Sequence, residues 1–223
     1  MVVGMKRIKQ LERWNDKMAK RYDIEEYYKN PILGCIENIR INEIIRIISP
    51  RKNDEILDIG CGAGHIIEEI EAGNITAIDI SKEMLSKAKK RLRKKRVTFL
   101  KRDAQNIRLR KKFDKIICSE VIEHIPNPKK LIDEILKLSK ESTIIVFTIP
   151  NENLIDLLKN ILKLFRINRI YQISSDEWHL HRFDLEMLEK LLKDRMEIFK
   201  VSKIPLTLFP LRYVVGCRIY ERK

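Results

Sequence analysis

No C-x-x-C pair occurs anywhere in this sequence, and its four cysteines, at 35, 61, 118 and 217, are too widely spaced to suggest a disulfide framework or a zinc site. No apolar run approaches the ~18 residues needed to span a bilayer. After the first five residues the chain turns basic before any apolar stretch of useful length, so no secretory signal is visible. Repeats, low-complexity tracts and a recognisable RNA-binding motif are also missing. These absences lead us to expect a soluble, reduced, cytoplasmic protein. With 223 residues, 44% of them hydrophobic, one globular domain with a sizeable core is expected.

Charge is plentiful but uneven. Between residues 87 and 112 there are 14 Lys or Arg and one acid, Asp103, so this stretch holds nearly all of the net +14. The remainder is close to balanced. Such a patch attracts polyanions, or it is a solvated helix face and loop in a chain in which 35% of residues are charged.

Glycine is scarce, with seven in all, yet three stand at 60, 62 and 64. They follow the apolar stretch 55–59, which contains Asp58, and precede an amphipathic segment at 65–72. A buried strand, a glycine turn and a helix start form a nucleotide-sized site, because the turn approaches a ligand closely and the helix presents free N–H groups. Asp79 closes the next apolar stretch, where an acid is expected to accept hydrogen bonds from ribose hydroxyls. The dinucleotide fingerprint G-x-G-x-x-G fails here, since the third glycine is Gly64 and the sixth position is His65. No second substrate domain follows, and a dehydrogenase is set aside.

Apolar patterning predicts strands at 55–59, 75–80, 97–101, 115–119 and 143–149, with helices at 65–72, 81–95 and 128–140 between them. Asn127 and Pro128 make a good helix start. Strands alternating with helices predict a doubly wound, mostly parallel α/β sheet whose ligands lie beyond the C-terminal strand ends. Residues 1–50 read as an N-terminal helical cap of the same domain, broken at Asn30-Pro31 and stopped at Ser49-Pro50, and residues 51–223 as the sheet domain. Tyr22 and Arg40 are the cap residues that would reach a ligand if the cap is a lid. Helices at 154–165 and 184–194 and strands at 197–204 and 213–220 complete the pattern.

Asp58 with its glycine turn, Asp79 in Ala-Ile-Asp-Ile-Ser-Lys-Glu-Met-Leu, Asp103-Ala104, Phe-Asp-Lys-Ile-Ile, Glu-Val-Ile-Glu-His and Ile-Pro-Asn occur in that order. Over residues 55–151 this resembles the class I S-adenosylmethionine-dependent methyltransferases. The resemblance implies a Rossmann-like seven-stranded sheet with an antiparallel last strand, a helical insertion after the fifth strand, and S-adenosyl-L-methionine as cofactor. It also implies that Asp58, Gly60, Gly62 and Gly64 lie around the methionine part and that Asp79 binds the ribose. Ile80 would pack on adenine, and Asp103 and Ala104 would bond its edge.

Glu120, Glu123 and His124 share a face if they lie on a helical turn. They are the candidate catalytic set, and with His181 the candidate ligands of Mg²⁺ or Mn²⁺. Metal-using ubiquinone-type O-methyltransferases and small-RNA 2′-O-methyltransferases carry similar sets. The expected reaction is methyl transfer to a small-molecule hydroxyl. RNA 2′-O-methylation, using the 87–112 patch, is the alternative, although the patch falls at the sheet edge opposite the cofactor. A cofactor-binding protein without transferase activity is a third reading. The basic linker beside the 154–165 helix leaves a membrane-surface contact open.

Overall fold

The computed structural model describes residues 2–21, 28–164 and 182–220. Their elements run α1 (Val2–Arg21), α2 (Pro31–Ile48), β1 (Glu55–Ile59), α3 (His65–Glu69), β2 (Asn74–Asp79), α4 (Lys82–Arg91), β3 (Val97–Lys101) and β4 (Phe113–Ser119). A 3₁₀ turn (Ile122–His124), α5 (Pro128–Leu138), β5 (Ser139–Pro150), α6 (Glu152–Leu164), α7 (Leu185–Leu192), β6 (Met196–Pro205) and β7 (Pro210–Ile219) follow.

The seven strands form one sheet in the order β3-β2-β1-β4-β5-β7-β6. β1 to β5 pair in parallel, and β7 runs antiparallel to both β5 and β6. The expected antiparallel strand near the end is therefore β7. Alternation along each strand feeds two cores. Leu57, Ile116, Cys118, Phe147 and Val215 face α5 and α7, while Ile56, Ala77, Ile117, Val146 and Val214 face α2. Gly216 lies on the α2 side, where a Cβ would stand 2.8 Å from a methyl of Ile47, so glycine lets the helix seat closely.

Local signals explain most element starts. Asn30 caps α2, accepting from the amides of Ile32 and Leu33 at 3.0 Å, with Pro31 in the first turn. Asn127 and Pro128 start α5 in the same way. The expected helices at 65–72 and 81–95 are shorter than their patterns, ending at Glu69 and Arg91. Lys95 ends the first of these. Its ammonium donates to the carbonyls of Ile67 (3.0 Å), Glu68 and Ile70 (2.8 Å), adding a donor to the C-terminal acceptors of α3. Strand β5 begins earlier than the 143–149 pattern, at Ser139, because the Thr143 hydroxyl donates to the Phe113 carbonyl and accepts from the Lys140 amide. All four cysteines are unpaired, and three are buried.

Candidate active site

The C-terminal ends of β1, β2, β4 and β5 converge around the glycine turn, where a parallel sheet leaves room for a ligand. The glycines of the turn differ in what surrounds them. Gly62 has a φ of +52°, and a Cβ there would meet nothing within 4 Å, so its backbone lines open space. A Cβ on Gly60 (φ +72°) would sit 2.3 Å from Val121, and one on Gly64 would meet Leu92, just past the end of α4, at 2.8 Å. Gly60 and Gly64 are thus fixed by packing inside the protein, whereas Gly62 faces outward.

Asp58 ends up on the α2 face of β1, only 1% exposed, and neither carboxylate oxygen has a hydrogen-bond partner. Burial first, and then the charge of Asp79, push its acid up to about 7, against a smaller opposing pull from Arg40. A buried carboxyl without partners beside an open glycine backbone is what a cationic ligand group would complete. Asp79 is better satisfied. Its Oδ2 accepts from the Gly62 amide at 2.9 Å and its Oδ1 from the Ser81 amide at 2.8 Å. Burial nonetheless holds it above the usual carboxylate range despite these bonds. Asp79 therefore ties the glycine turn to the end of β2, with acceptor lone pairs left over. Ile80 and Ala104 are half-buried, and Asp103 accepts through Oδ1 from the amide of Gln105 at 2.9 Å.

Helix α1 covers this side. Asp16 accepts from the Ser81 hydroxyl and from the Glu83 amide (3.3 Å), and Glu12 pairs with Lys101 at the end of β3. Trp14 lies 6.4 Å, centroid to centroid, from the His124 ring. Just before α2, Tyr28 stacks on His65 with centroids 3.8 Å apart and planes 8° from parallel. Sequence reasoning gave no role to Asp16 or Tyr28. Tyr22, the other cap residue singled out, lies outside the described residues, as does His181.

The Glu-Val-Ile-Glu-His run does not form the expected helical face. Glu120 has a φ of +54°, a left-handed conformation that glycine favours, and only a short 3₁₀ turn follows. Three ties hold Glu120 there. Its amide donates to the Thr148 hydroxyl (3.0 Å), which in turn donates to Oε1 at 2.9 Å, and the Arg212 guanidinium donates to Oε2 at 3.2 Å. Arg212 also pairs with Glu37 (3.3 Å), Glu37 with buried Arg40 (2.6 Å), and Arg40 donates to Ser119, which bonds Thr148 at 2.9 Å. The result is a closed ring of polar groups linking α2, β4, β5 and β7. Arg40, expected to reach a ligand if the cap were a lid, is instead held in this ring.

The divalent-ion expectation does not fit these residues. Glu120 is neutralised by Arg212. Glu123 is 1% exposed, and burial followed by the charge of Glu120 raises its acid well above the usual range. Among the described residues, no three His, Cys, Asp or Glu side chains come together in a way that could hold a metal ion.

The basic stretch is partly consumed inside the protein. Lys95 caps α3, Arg91 bonds Glu68 and the Ala63 carbonyl, Lys101 meets Glu12, Lys111 meets Glu55, and Lys112 donates to the Ser139 carbonyl.

Sheet order, glycine turn and strand-end acids together define the class I S-adenosylmethionine-dependent methyltransferase architecture. The profile of the methyltransferase domain family matches residues 50–198, and the chain belongs to that family. Among curated proteins it is similar to the ubiquinone biosynthesis O-methyltransferase of Rickettsia canadensis, 33% identical over 128 residues, or 54% of each chain. The enzyme of the same name from Shewanella pealeana is 25% identical over 185 residues, 80% of this chain and 78% of that one. The chain thus spans about half the length of the first of these relatives. Among solved structures it resembles the N-methyltransferase NodS from Bradyrhizobium japonicum, in complex with S-adenosyl-L-homocysteine. That match has a TM-score of 0.71 and 16% identity and covers 95% of this chain and 99% of that one. Among the described residues no helix is long and apolar enough to cross a membrane.

Proposed function

We propose that this chain transfers a methyl group from S-adenosyl-L-methionine to a hydroxyl oxygen of a small molecule in the cytoplasm. The observation that carries the reading is Asp58, a buried carboxyl with no partner, set beside the outward-facing backbone of Gly62. Asp58 would face the ammonium of the methionine part, with the Gly60–Gly62 backbone beside it. Gly64 would keep α4 in place rather than touch the cofactor. The remaining lone pairs of Asp79 would accept from the ribose hydroxyls, Ile80 would pack on adenine, and Asp103 with the Ala104 amide would bond its edge. When bound, the cofactor supplies a methyl group on a sulfonium, an electrophile that needs only a positioned nucleophile.

On the acceptor side His124 takes the hydroxyl proton. It is the basic group of the candidate trio, half-buried at the end of β4 beside Trp14. Glu123 would complete the acceptor-side trio, and Glu120, clamped by Thr148 and Arg212, fixes the wall of the acceptor site. No step is assigned to a metal. The ubiquinone biosynthesis relatives support an oxygen acceptor of small-molecule size.

The test is label transfer from methyl-tritiated S-adenosylmethionine into fractionated cell extract, with and without a chelator. Counts in the small-molecule fraction that survive chelation support the proposal. Counts confined to RNA would overturn the acceptor, and cofactor binding with no transfer to any fraction would favour a binding protein.

A further inference from the structure

The hairpin joining β6 to β7 has a composition that turns seldom have. Residues 204–211 read Ile-Pro-Leu-Thr-Leu-Phe-Pro-Leu, with one hydroxyl as the sole polar side chain, where tight connections usually carry Gly, Asn, Asp or Ser. Three of these side chains stand in solvent. Leu206 is 63% exposed, Leu208 86% and Phe209 61%. Single exposed leucines need no explanation, but three large apolar groups within four residues at a loop tip do.

Along the chain, charge near the tip has one sign, and in space Glu43 of α2 lies near Lys200 and Ser202. From residue 198 to residue 220 there is no acid, while Lys200, Lys203, Arg212 and Arg218 are present. Arg212 is engaged with Glu120 and Glu37, and Arg218 with Glu197 at 2.8 Å. Lys200 and Lys203 are exposed on β6 just before the tip. The neighbouring helix α6 is joined to the base of the hairpin through Asn151, whose side chain donates to the Pro210 carbonyl at 2.8 Å and whose amide donates to that of Leu211, also at 2.8 Å. Helix α6 adds exposed Leu157 and Leu158, and its acids Glu152 and Asp156 are paired with Arg182.

The position of the tip follows from register. β7 pairs antiparallel with β5 so that Arg212 lies opposite Pro150, which places the turn at the C-terminal end of the sheet. This is the end that carries the glycine turn and Glu120. We infer that the β6–β7 hairpin tip is a docking wedge for an anionic lipid surface, with Leu206, Leu208 and Phe209 entering the bilayer boundary and Lys200 and Lys203 meeting headgroup phosphates. Apolar insertion and basic attraction are the two components of reversible surface binding. Docking in this way turns the mouth of the candidate site toward the membrane.

Cosedimentation of the full chain with vesicles tests this. One vesicle is phosphatidylcholine alone, and the other is an equimolar mixture with phosphatidylglycerol. The wild type should sediment with the anionic vesicles, less so as salt rises. Each apolar side chain contributes on the order of tenfold when inserted, so joint Leu206→Ser, Leu208→Ser and Phe209→Ser should lower partitioning by at least roughly a hundredfold. Joint Lys200→Glu and Lys203→Glu should remove the preference for anionic vesicles, losing on the order of fivefold per lysine. Both variants alter exposed groups and should keep the wild-type melting temperature and S-adenosylhomocysteine affinity, which separates this inference from the cofactor reading. Equal sedimentation of wild type and the triple-serine variant would overturn it, as would absence of the wild type from both vesicle pellets. So would wild-type self-association abolished by the same substitutions, since the tip would then be covering a second copy of the chain.

Discussion

Asp58 offers the sharpest test of the cofactor site, because its apo state is electrostatically uncomfortable. An unfolded aspartate titrates near 3.9, and here burial without a partner raises Asp58 to about 7. The difference of about three units corresponds to about 4 kcal/mol between the two protonation states. The sign follows from proton counting. Below about pH 4 both folded and unfolded chains hold the proton, and nothing is lost. Between about pH 4 and about pH 7 the unfolded chain releases it while the folded chain keeps it, so stability falls as pH rises. A cation bound beside Asp58 reverses the preference and draws the proton off. Cofactor affinity should therefore weaken up to tenfold for each pH unit below about 7, until the bound-state value is reached.

Calorimetry with S-adenosylhomocysteine between about pH 5 and about pH 7, below the range in which an α-amino group loses its charge, reads this directly. Titrations in buffers of different ionisation enthalpy should reveal about one proton released per ligand bound at the acid end. His65 and His124 are also in the neighbourhood, so the decisive quantity is the difference between wild type and Asp58→Asn. The asparagine variant should lose the slope and, at about pH 8, bind roughly 10- to 100-fold more weakly for want of a charge-assisted bond. Its apo form should be more stable than wild type at that pH and nearly equal at about pH 4. An unchanged slope in Asp58→Asn, or a wild-type affinity flat across the window, would refute the assignment.

Asp79→Ala should weaken cofactor binding by at least roughly tenfold while the sheet still folds, since it removes a charged acceptor from the glycine turn; unchanged affinity by calorimetry would count against the ribose role. Gly62→Ala and Gly60→Ala should behave differently. The first adds a Cβ to open space and should cost about 1–2 kcal/mol of left-handed strain with a large loss of affinity, whereas the second collides with Val121 and should show chiefly as a lower melting temperature. His124→Ala and Glu120→Ala should each lower kcat by on the order of a hundredfold with little change in cofactor affinity, and chelation should leave the wild-type rate unaltered. Near-normal turnover in both variants would remove the pair from the mechanism.

The parts of this site that could be read from sequence are those made by neighbours along the chain. A strand, its glycine turn and the acid closing the next strand are fixed by local patterning, and Asp58, Gly62 and Asp79 fall where that patterning indicates. Helix ends were less legible. Lys95 looks like one more cation in a basic run, yet it terminates α3 from 25 residues away in sequence. Nothing in its immediate surroundings signals that use. The same holds for much of the 87–112 stretch, where composition suggests a partner outside the molecule and geometry supplies several inside it.

The Glu-Val-Ile-Glu-His run shows why spacing misled at the acceptor side. The i, i+3, i+4 rule presumes helical dihedrals throughout, and Glu120 does not have them. What holds it in a left-handed conformation comes from elsewhere. Thr148 lies 28 residues on and Arg212 92 residues on, while Arg40 reaches Ser119 across 79. A strained residue persists only where its surroundings over-determine it, and here four elements do so through one closed ring. None of those partners carries a local signal, because a threonine in a strand or an arginine at a strand start is unremarkable until the sheet order sets β7 beside β5. Conversely, once that order is known, the ring explains why the two carboxylates do not act alike. Arg212 compensates Glu120, whereas burial, more than any other influence, raises the acid of Glu123 well above the ordinary carboxylate range. Two acids three residues apart are thereby given different chemistry by strands that join the sheet only at the end of the chain.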